Sequence, residues 1–175
     1  MAESNGKMTL LTSGQFWIAL ILLVITAVIS VGNYQRWWDW YFDLGYFSFT
    51  HWLVLFGAGY IAASTPVYLY LKRYRKTNFR ILLKVHVFGN LIAFSLISIH
   101  FTQQAGRPSQ FAPVHSTGLI LYIFAGAMVM TGFLQRFGLF SRLRKPWRFI
   151  HTSLILSFYI VLIIHILQFY GITWE

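Results

Sequence analysis

Five long apolar segments dominate the sequence of this 175-residue chain, at about 16–31, 47–71, 79–101, 116–134 and 149–170. A hydrocarbon core of about 30 Å needs roughly 20 helical residues, so the segments have the length to cross a bilayer. A barrel strand would alternate apolar and polar residues over roughly ten positions, whereas these segments are continuously apolar. The sequence therefore predicts an all-α integral membrane bundle of five transmembrane helices, with residues 1–175 forming a single domain.

The basic residues are concentrated in two alternate loops, although only 10% of the chain is charged and its net charge is +10. Loops rich in Lys and Arg lie on the cytoplasmic side of membrane proteins. We therefore expect a multi-pass plasma-membrane protein in contact with lipid, with the N-terminus cytoplasmic and the C-terminus external. No nucleic-acid partner is needed to explain the charge. The residues are Lys72, Arg73, Arg75, Lys76, Arg80 and Lys84 in one region, and Arg136, Arg142, Arg144, Lys145 and Arg148 in the other.

Four histidines recur at one spacing inside two of the apolar segments. His86 and His100 are fourteen positions apart, and His151 and His165 repeat the interval. Fourteen helical residues rise about 21 Å and return to within roughly 40° of the starting direction, so each helix presents two imidazoles on one face. The third and fifth segments run in the same direction, which pairs His86 with His151 (the inner level) and His100 with His165 (the outer level).

Two matched histidine pairs favour iron bound by two ligands. A single intramembrane histidine often only bonds a neighbouring helix, but polar groups at membrane depth usually mark function. Haem iron takes one imidazole from each side, whereas zinc asks for a tetrahedral set that neither level offers by sequence. The chain has no cysteine for thioether attachment. We therefore expect two non-covalent b-type haems with two histidine ligands each, stacked among spans two to five.

Other residues are candidates for contacts with the cofactors. Gly118 and Gly132 are also fourteen positions apart, at the two levels, where a missing side chain leaves room for a porphyrin edge; close helix packing is the alternative. Gly89, with Gly57 or Gly59, is a further candidate of the same kind. Basic and amide side chains near the segment ends are candidate partners of haem propionates, or simple interfacial anchors. They are Arg80, Lys84 and Arg148 at the inner level, and Gln103 and Arg107 at the outer level.

Two further histidines, His51 and His115, open the external ends of helices. Contact with outer propionates, proton relay to quinone, a partner site and simple solvation all remain open for them. The aromatic loop "NYQRWWDWYFDLGYF" is an interfacial belt or a docking surface for a redox partner. Pro66 is expected to kink the second helix.

The stretches "RILLKVHVFGNLIAFSLISIH", "STGLILYIFAGAMVMTGFLQRF" and "KPWRFIHTSLILSFYIVLIIHIL" resemble the transmembrane domain of the ferric reductase and NADPH oxidase superfamily, over roughly 79–167. The resemblance rests on the His86 to Gly89 start, the "TG" ending of the next span and the W-x-x-x-H entry into the last. It implies that the four histidines bind two stacked b haems carrying electrons across the membrane, with His86 and His151 as the inner ligands and His100 and His165 as the outer ones.

The sequence departs from that family in two ways. We expect no flavin or nicotinamide domain of the kind that most family members carry, and both histidine pairs have the fourteen-residue spacing found in the cytochrome b of respiratory bc complexes. That relative has the opposite orientation to the one the basic loops predict, which favours the ferric-reductase-like topology. The expected function is transmembrane electron transfer within a larger hetero-oligomeric redox assembly, with redox proteins or quinone as partners. The alternatives are a stand-alone quinol- or metal-ion-linked reductase, and a cofactor-free membrane subunit or transporter.

Overall fold

The computed structural model describes residues 13–38, 40, 42–74, 78–107, 116–139 and 144–172, without the side chains of residues 116, 144 and 145. Over these ranges the chain forms five long helices and one two-stranded hairpin. All five helices are long and apolar enough to cross a membrane, which confirms the prediction of five helices able to span a bilayer. The helices are α1 (Gly14–Tyr34), α2 (Phe49–Tyr74), α3 (Phe79–Ala105), α4 (Ser116–Arg136) and α5 (Arg144–Phe169); the hairpin pairs β1 (Asp43–Leu44) with β2 (Phe47–Ser48).

Several helices extend beyond their apolar segments. α2 continues through Lys72 and Arg73 to Tyr74, and α5 begins at Arg144 rather than near residue 149. Lys and Arg are good helix formers, so the backbone hydrogen bonds continue after the hydrophobic run ends. Hydropathy therefore marks the part of a helix suited to hydrocarbon and does not mark where the helix begins and ends. α3 begins where the Asn78 side chain accepts a hydrogen bond from the backbone N–H of Arg80.

Helices α2 to α5 pack in sequence order, each against the next, and α1 packs on the outside of α3. The ring is completed between α5 and α2, where the Tyr159 hydroxyl donates a hydrogen bond to the Ala62 carbonyl. We call α2 to α5 the four-helix bundle. Helices α3 and α5, which carry the four histidines, lie diagonally across it.

The outer helix α1 is attached to α3 and α4 by polar contacts. At one end Asn33 donates its side-chain N–H to the carbonyl of Ile99 and accepts a hydrogen bond from the Trp38 indole. At the other end Arg136 donates to the side-chain oxygen of Gln15 at 2.9 Å. Polar groups at membrane depth need such partners because lipid offers none. These contacts fix α1 against the bundle.

An apolar layer fills the middle of the four-helix bundle. It contains Ile61 of α2, Ala93 of α3, Ala125 of α4 and Phe158 of α5, all in one buried cluster. Ala93 lies midway along the chain between the two histidines of α3, and Phe158 lies midway between those of α5. Ala125 is fully buried, and Ala93 and Phe158 are each only 2% exposed. The two histidine levels are therefore separated by closely packed apolar side chains.

The hairpin leads directly into α2. Gly45 occupies its turn with φ 72°, a left-handed conformation that favours glycine. The Trp52 indole donates to the Leu44 carbonyl at 3.0 Å, and the rings of Phe42 and Phe49 stack with centroids 4.8 Å apart. These contacts hold Ser48, the last hairpin residue, one turn before His51.

Candidate functional site

A cavity opens among the helices of the four-helix bundle at the inner level. Both His86 and His151 line it, together with Asn90 and Gly132. It holds about 530 Å³ of space free of protein atoms, part of which is open to the surroundings. Ligand sites are commonly largely apolar cavities with a few convergent polar groups. The structure thus brings together the two inner histidines that the sequence paired, around a common space.

The outer level repeats the pairing. His100 and His165 lie within electrostatic range of each other, as do His86 and His151 at the inner level. The partners come from α3 and α5 on opposite sides of the four-helix bundle. The fold therefore places His86 near His151 and His100 near His165.

The two glycines of α4 stand beside the histidines of α5. A Cβ atom on Gly132 would lie 3.5 Å from Cε1 of His151, and a Cβ on Gly118 would lie 3.5 Å from Cε1 of His165. An alanine methyl at either position would be in ordinary van der Waals contact with the imidazole, and a longer side chain would have to share the space beside the ring. The glycines keep free the space next to the two rings.

A threonine precedes each of these glycines and contacts the same imidazole. Thr131 Oγ1 lies 2.9 Å from His151 Nδ1, and Thr117 Oγ1 lies 3.0 Å from His165 Nδ1. Neither threonine was predicted to contact a histidine, although the "TG" at Thr131 is part of the family resemblance. The signal was present, because the dipeptide Thr-Gly occurs twice on α4 with the same fourteen-residue interval as the histidines.

The two histidines of α3 have different surroundings. The ring of Tyr68 stacks on His86 with centroids 4.6 Å apart, and the Asn90 side-chain nitrogen lies 3.2 Å from His86 Nδ1. His100 Nδ1 is buried and has no hydrogen-bond partner among the described residues. Tyr68 and Asn90 carry no sequence periodicity that would have linked them to the site.

His51 joins the outer level as a third imidazole. Its ring centroid lies 5.0 Å from that of His100, in an edge-to-face arrangement. Its Nδ1 bonds the Ser48 hydroxyl, and the rings of Phe47 and Phe169 flank it. His51 therefore packs within the outer level. His115, for which the same roles were considered, lies outside the described residues, as do Arg75, Lys76 and Arg142.

Among the other predicted site residues, Gly89 has a different neighbour. A Cβ on Gly89 would collide with the hydroxyl and ring of Tyr60, whose hydroxyl donates to the Val85 carbonyl. Gly57 faces the Ala93 carbonyl on α3, and Gly59 has no neighbouring atom within 4 Å of its Cβ position. In this structure Gly89 and Gly57 therefore serve helix packing.

The candidate propionate partners differ in how close they lie to the two histidine levels. Arg148 is exposed and within electrostatic range of Tyr68, which stacks on His86. Arg107 is within electrostatic range of both His51 and His100. The side chains of Arg80 and Lys84 are exposed near the start of α3, and the side-chain oxygen of Gln103 is buried without a hydrogen-bond partner in the described part of the chain. Arg107 and Arg148 are thus the two that approach histidine levels.

The inner level offers the His86 and His151 imidazoles as possible ligands, and the outer level offers His100 and His165 with His51 packed beside His100. No group of three or more His, Cys, Asp or Glu side chains among the described residues is placed to hold a metal ion. Two imidazoles facing a cavity, with a glycine beside one of them, suit an iron that needs only two axial ligands from the protein. Comparison with family models, with curated proteins and with solved structures finds no match to this chain.

Proposed function

We propose that the chain is a di-haem b-type membrane cytochrome that carries electrons across the membrane. His86 and His151 would hold the inner haem, and His100 and His165 the outer one. The observation that carries the proposal is the repetition of one arrangement at both levels. Each level has an α3 histidine opposite an α5 histidine, and a Thr-Gly pair of α4 against the α5 ring. Chance packing is not expected to produce the same set of contacts twice at the same fourteen-residue interval.

A haem held by these histidines would supply one-electron exchange without offering the iron to oxygen or substrate. The residues of the chain have separate roles around it. Gly118 and Gly132 leave room beside the α5 rings, and Thr117 and Thr131 orient those rings. Ala93, Ala125 and Phe158 form the dry layer between the levels, which are about 21 Å apart along each helix.

The charge distribution supports an orientation with the inner level toward the cytoplasm. Lys72, Arg73, Arg80 and Lys84 are all exposed at the adjoining ends of α2 and α3 nearest His86, whereas Asp43 lies at the opposite end, in the hairpin. Lys and Arg prefer the cytoplasmic side. An electron passing between the two levels would therefore pass between compartments, as in the ferric-reductase-like family. The partners on this proposal are redox proteins or quinone within a hetero-oligomeric assembly.

Haem content of the purified full-length protein tests the proposal. A pyridine haemochrome assay is expected to give about two haems per chain, since there are two ligand pairs. His100→Ala and His165→Ala should remove the same spectral component, while His86→Ala and His151→Ala remove the other. Gly59→Leu is the control that should leave both components in place, since no atom lies within 4 Å of the Gly59 Cβ position. A ratio near one would contradict the two-site arrangement, and a colourless preparation would favour a cofactor-free membrane subunit or transporter.

Sealed vesicles test whether electrons cross the membrane through the protein. A membrane-impermeant reductant on one side should reduce oxidised cytochrome trapped on the other, and His100→Ala should abolish this. Fully haem-loaded protein that transfers no electrons across sealed vesicles would contradict the transmembrane role. Turnover of quinol or a metal ion by the single chain would instead indicate a stand-alone reductase.

A further inference from the structure

We propose that Thr131 and Thr117 are positioning residues that set the ring tautomer of the α5 histidines, with the proton on Nδ1 and the Nε2 lone pair free. The tautomer assignment concerns the protein alone. Its use, presenting Nε2 to iron, rests on the function proposed above.

At the inner level the hydrogen bonds of Thr131 determine the tautomer. A threonine hydroxyl has one proton to donate and two lone pairs that accept. Thr131 Oγ1 donates to the Ala127 carbonyl at 2.8 Å, with the Met128 carbonyl at 3.0 Å sharing the same proton. With its proton directed to these carbonyls, the hydroxyl presents a lone pair to His151 Nδ1, 2.9 Å away. We therefore assign the proton in that bond to Nδ1 of the imidazole.

At the outer level a different acceptor leads to the same result. Thr117 Oγ1 donates to the side-chain carbonyl oxygen of Gln168 at 2.7 Å. Since an amide oxygen only accepts, the threonine proton is committed to Gln168. The 3.0 Å contact between Thr117 Oγ1 and His165 Nδ1 is then donated by the imidazole. The two levels reach one tautomer through a backbone carbonyl in one case and a glutamine side chain in the other.

The consequence for iron binding follows from imidazole chemistry. A neutral imidazole carries one N–H, so a proton on Nδ1 leaves Nε2 as the metal-binding nitrogen. Residues that accept from the other ring nitrogen also fix the ring orientation and raise the basicity of the ligand. Gly132 and Gly118 leave space beside these same rings. The α5 half of each site is thus arranged for a ligand role in the protein itself.

The α3 histidines lack this arrangement and provide an internal comparison. The Asn90 side-chain nitrogen donates to the His86 carbonyl at 2.6 Å and lies 3.2 Å from His86 Nδ1. Since that nitrogen can only donate, Nδ1 of His86 accepts and the ring proton lies on Nε2 in this structure; that proton would have to leave Nε2 before His86 could bind iron. His100 Nδ1 has no hydrogen-bond partner among the described residues. Of the four proposed ligands, only the α5 histidines have a hydroxyl oxygen at Nδ1 in the described part of the chain.

Nitrogen NMR of the haem-free full-length protein in lipid nanodiscs tests the assignment directly. With ¹⁵N-labelled histidine, the ring shifts distinguish the two tautomers, and His→Gln variants assign the signals. His151 and His165 are expected as Nδ1–H and His86 as Nε2–H. Thr131→Val should convert His151 away from Nδ1–H and leave His165 unchanged, while Thr131→Ser should behave as the parent. An Nε2–H form of His151 in the parent protein would overturn the proposal without any variant.

The glutamine supplies a sharper test at the outer level. Gln168→Leu removes the acceptor of the Thr117 proton but leaves the threonine in place. The hydroxyl is then free to donate to His165 Nδ1, so the Nε2–H form should appear at His165 alone. If His165 keeps the Nδ1–H form in Gln168→Leu, the roles assigned to Thr117 and Gln168 would be contradicted.

Haem binding provides a readout that separates this inference from the proposed function. Thr131→Val should lower the affinity of the inner haem by about 10–100-fold, the usual effect of losing an outer partner of a metal-bound histidine. Its reduction potential should rise, with the outer haem unaffected and Thr131→Ser restoring both values. If the protein binds no haem, the proposed function fails while the NMR result still decides the tautomer. Unchanged inner-haem affinity and potential in Thr131→Val would overturn the positioning role.

Discussion

The hydroxyl of Tyr159 on α5 donates a 2.9 Å hydrogen bond to the Ala62 carbonyl on α2. That carbonyl lacks the usual donor four positions later in its own helix, because that residue is Pro66, which has no backbone N–H. α2 nevertheless runs through Pro66 as one element from Phe49 to Tyr74. The neighbouring helix therefore supplies a hydrogen-bond donor in place of the one that proline lacks. This bond joins the first and last helices of the four-helix bundle.

We expect Tyr159→Phe to lower the free energy of unfolding by about 1 kcal/mol, in the range of hydrogen bonds between membrane helices. In a Pro66→Ala background the same change should cost close to nothing, since the new backbone N–H bonds the Ala62 carbonyl instead. Unfolding of all four proteins in mixed micelles gives this double-mutant cycle. An equal cost of Tyr159→Phe in both backgrounds would show that the hydroxyl does not compensate for the proline.

Enlarging Gly132 is expected to block the inner level alone. A leucine side chain would extend from a Cβ that already lies 3.5 Å from the His151 ring, into the cavity that His86 and His151 share. Gly132→Leu should therefore reduce haem content from about two to about one per chain. Gly118→Leu should do the same at the outer level, with loss of the other spectral component.

Gly59→Leu is the matched control for these substitutions. No atom lies within 4 Å of the Cβ position at Gly59, so the added side chain meets open space. Haem content should remain near two. Loss of haem in this variant, or retention of both haems in Gly132→Leu, would argue against the space beside His151 as a cofactor site.

Gly89 should behave as a packing residue. Gly89→Ala places a methyl group against the Tyr60 hydroxyl and ring and displaces the hydrogen bond to the Val85 carbonyl. Overpacking of this kind costs roughly 1–3 kcal/mol of stability. Thermal unfolding should show that loss, while the protein that remains folded keeps both haems. Normal stability combined with loss of the inner haem would instead support the porphyrin-edge role predicted from sequence.

The orientation of the chain is testable with single cysteines, since the sequence contains none. Tyr46 is 92% exposed in the hairpin, and Arg73 is exposed near the end of α2. In intact cells a membrane-impermeant maleimide should label Tyr46→Cys but not Arg73→Cys, because the basic end is expected to face the cytoplasm. Permeabilised cells, in which both should react, provide the control. Labelling of Arg73→Cys from outside would reverse the assignment.

The sequence by itself determined the five helices and the two histidine levels. Backbone groups in lipid must bond within their own segment, so a continuous apolar run of sufficient length has no alternative to a helix. Once α3 and α5 are helical, an interval of fourteen residues places His86 with His100, and His151 with His165, on common faces. These are consequences of local geometry, and they need no knowledge of the neighbouring helices.

Only the tertiary structure decided what meets each face. Tyr159 and Ala62 are 97 positions apart, and Thr117 and His165 are 48 apart, so no local pattern connects them. Gly132 lies on α4, and Gly89 lies on α3, three residues after His86. The rotation of each helix about its axis decided that Gly132 faces His151 while Gly89 faces Tyr60. The direction of the Thr131 hydroxyl proton depends on a carbonyl of its own helix and an imidazole from the next. Such contacts arise from helix packing, which periodicity within one helix does not specify.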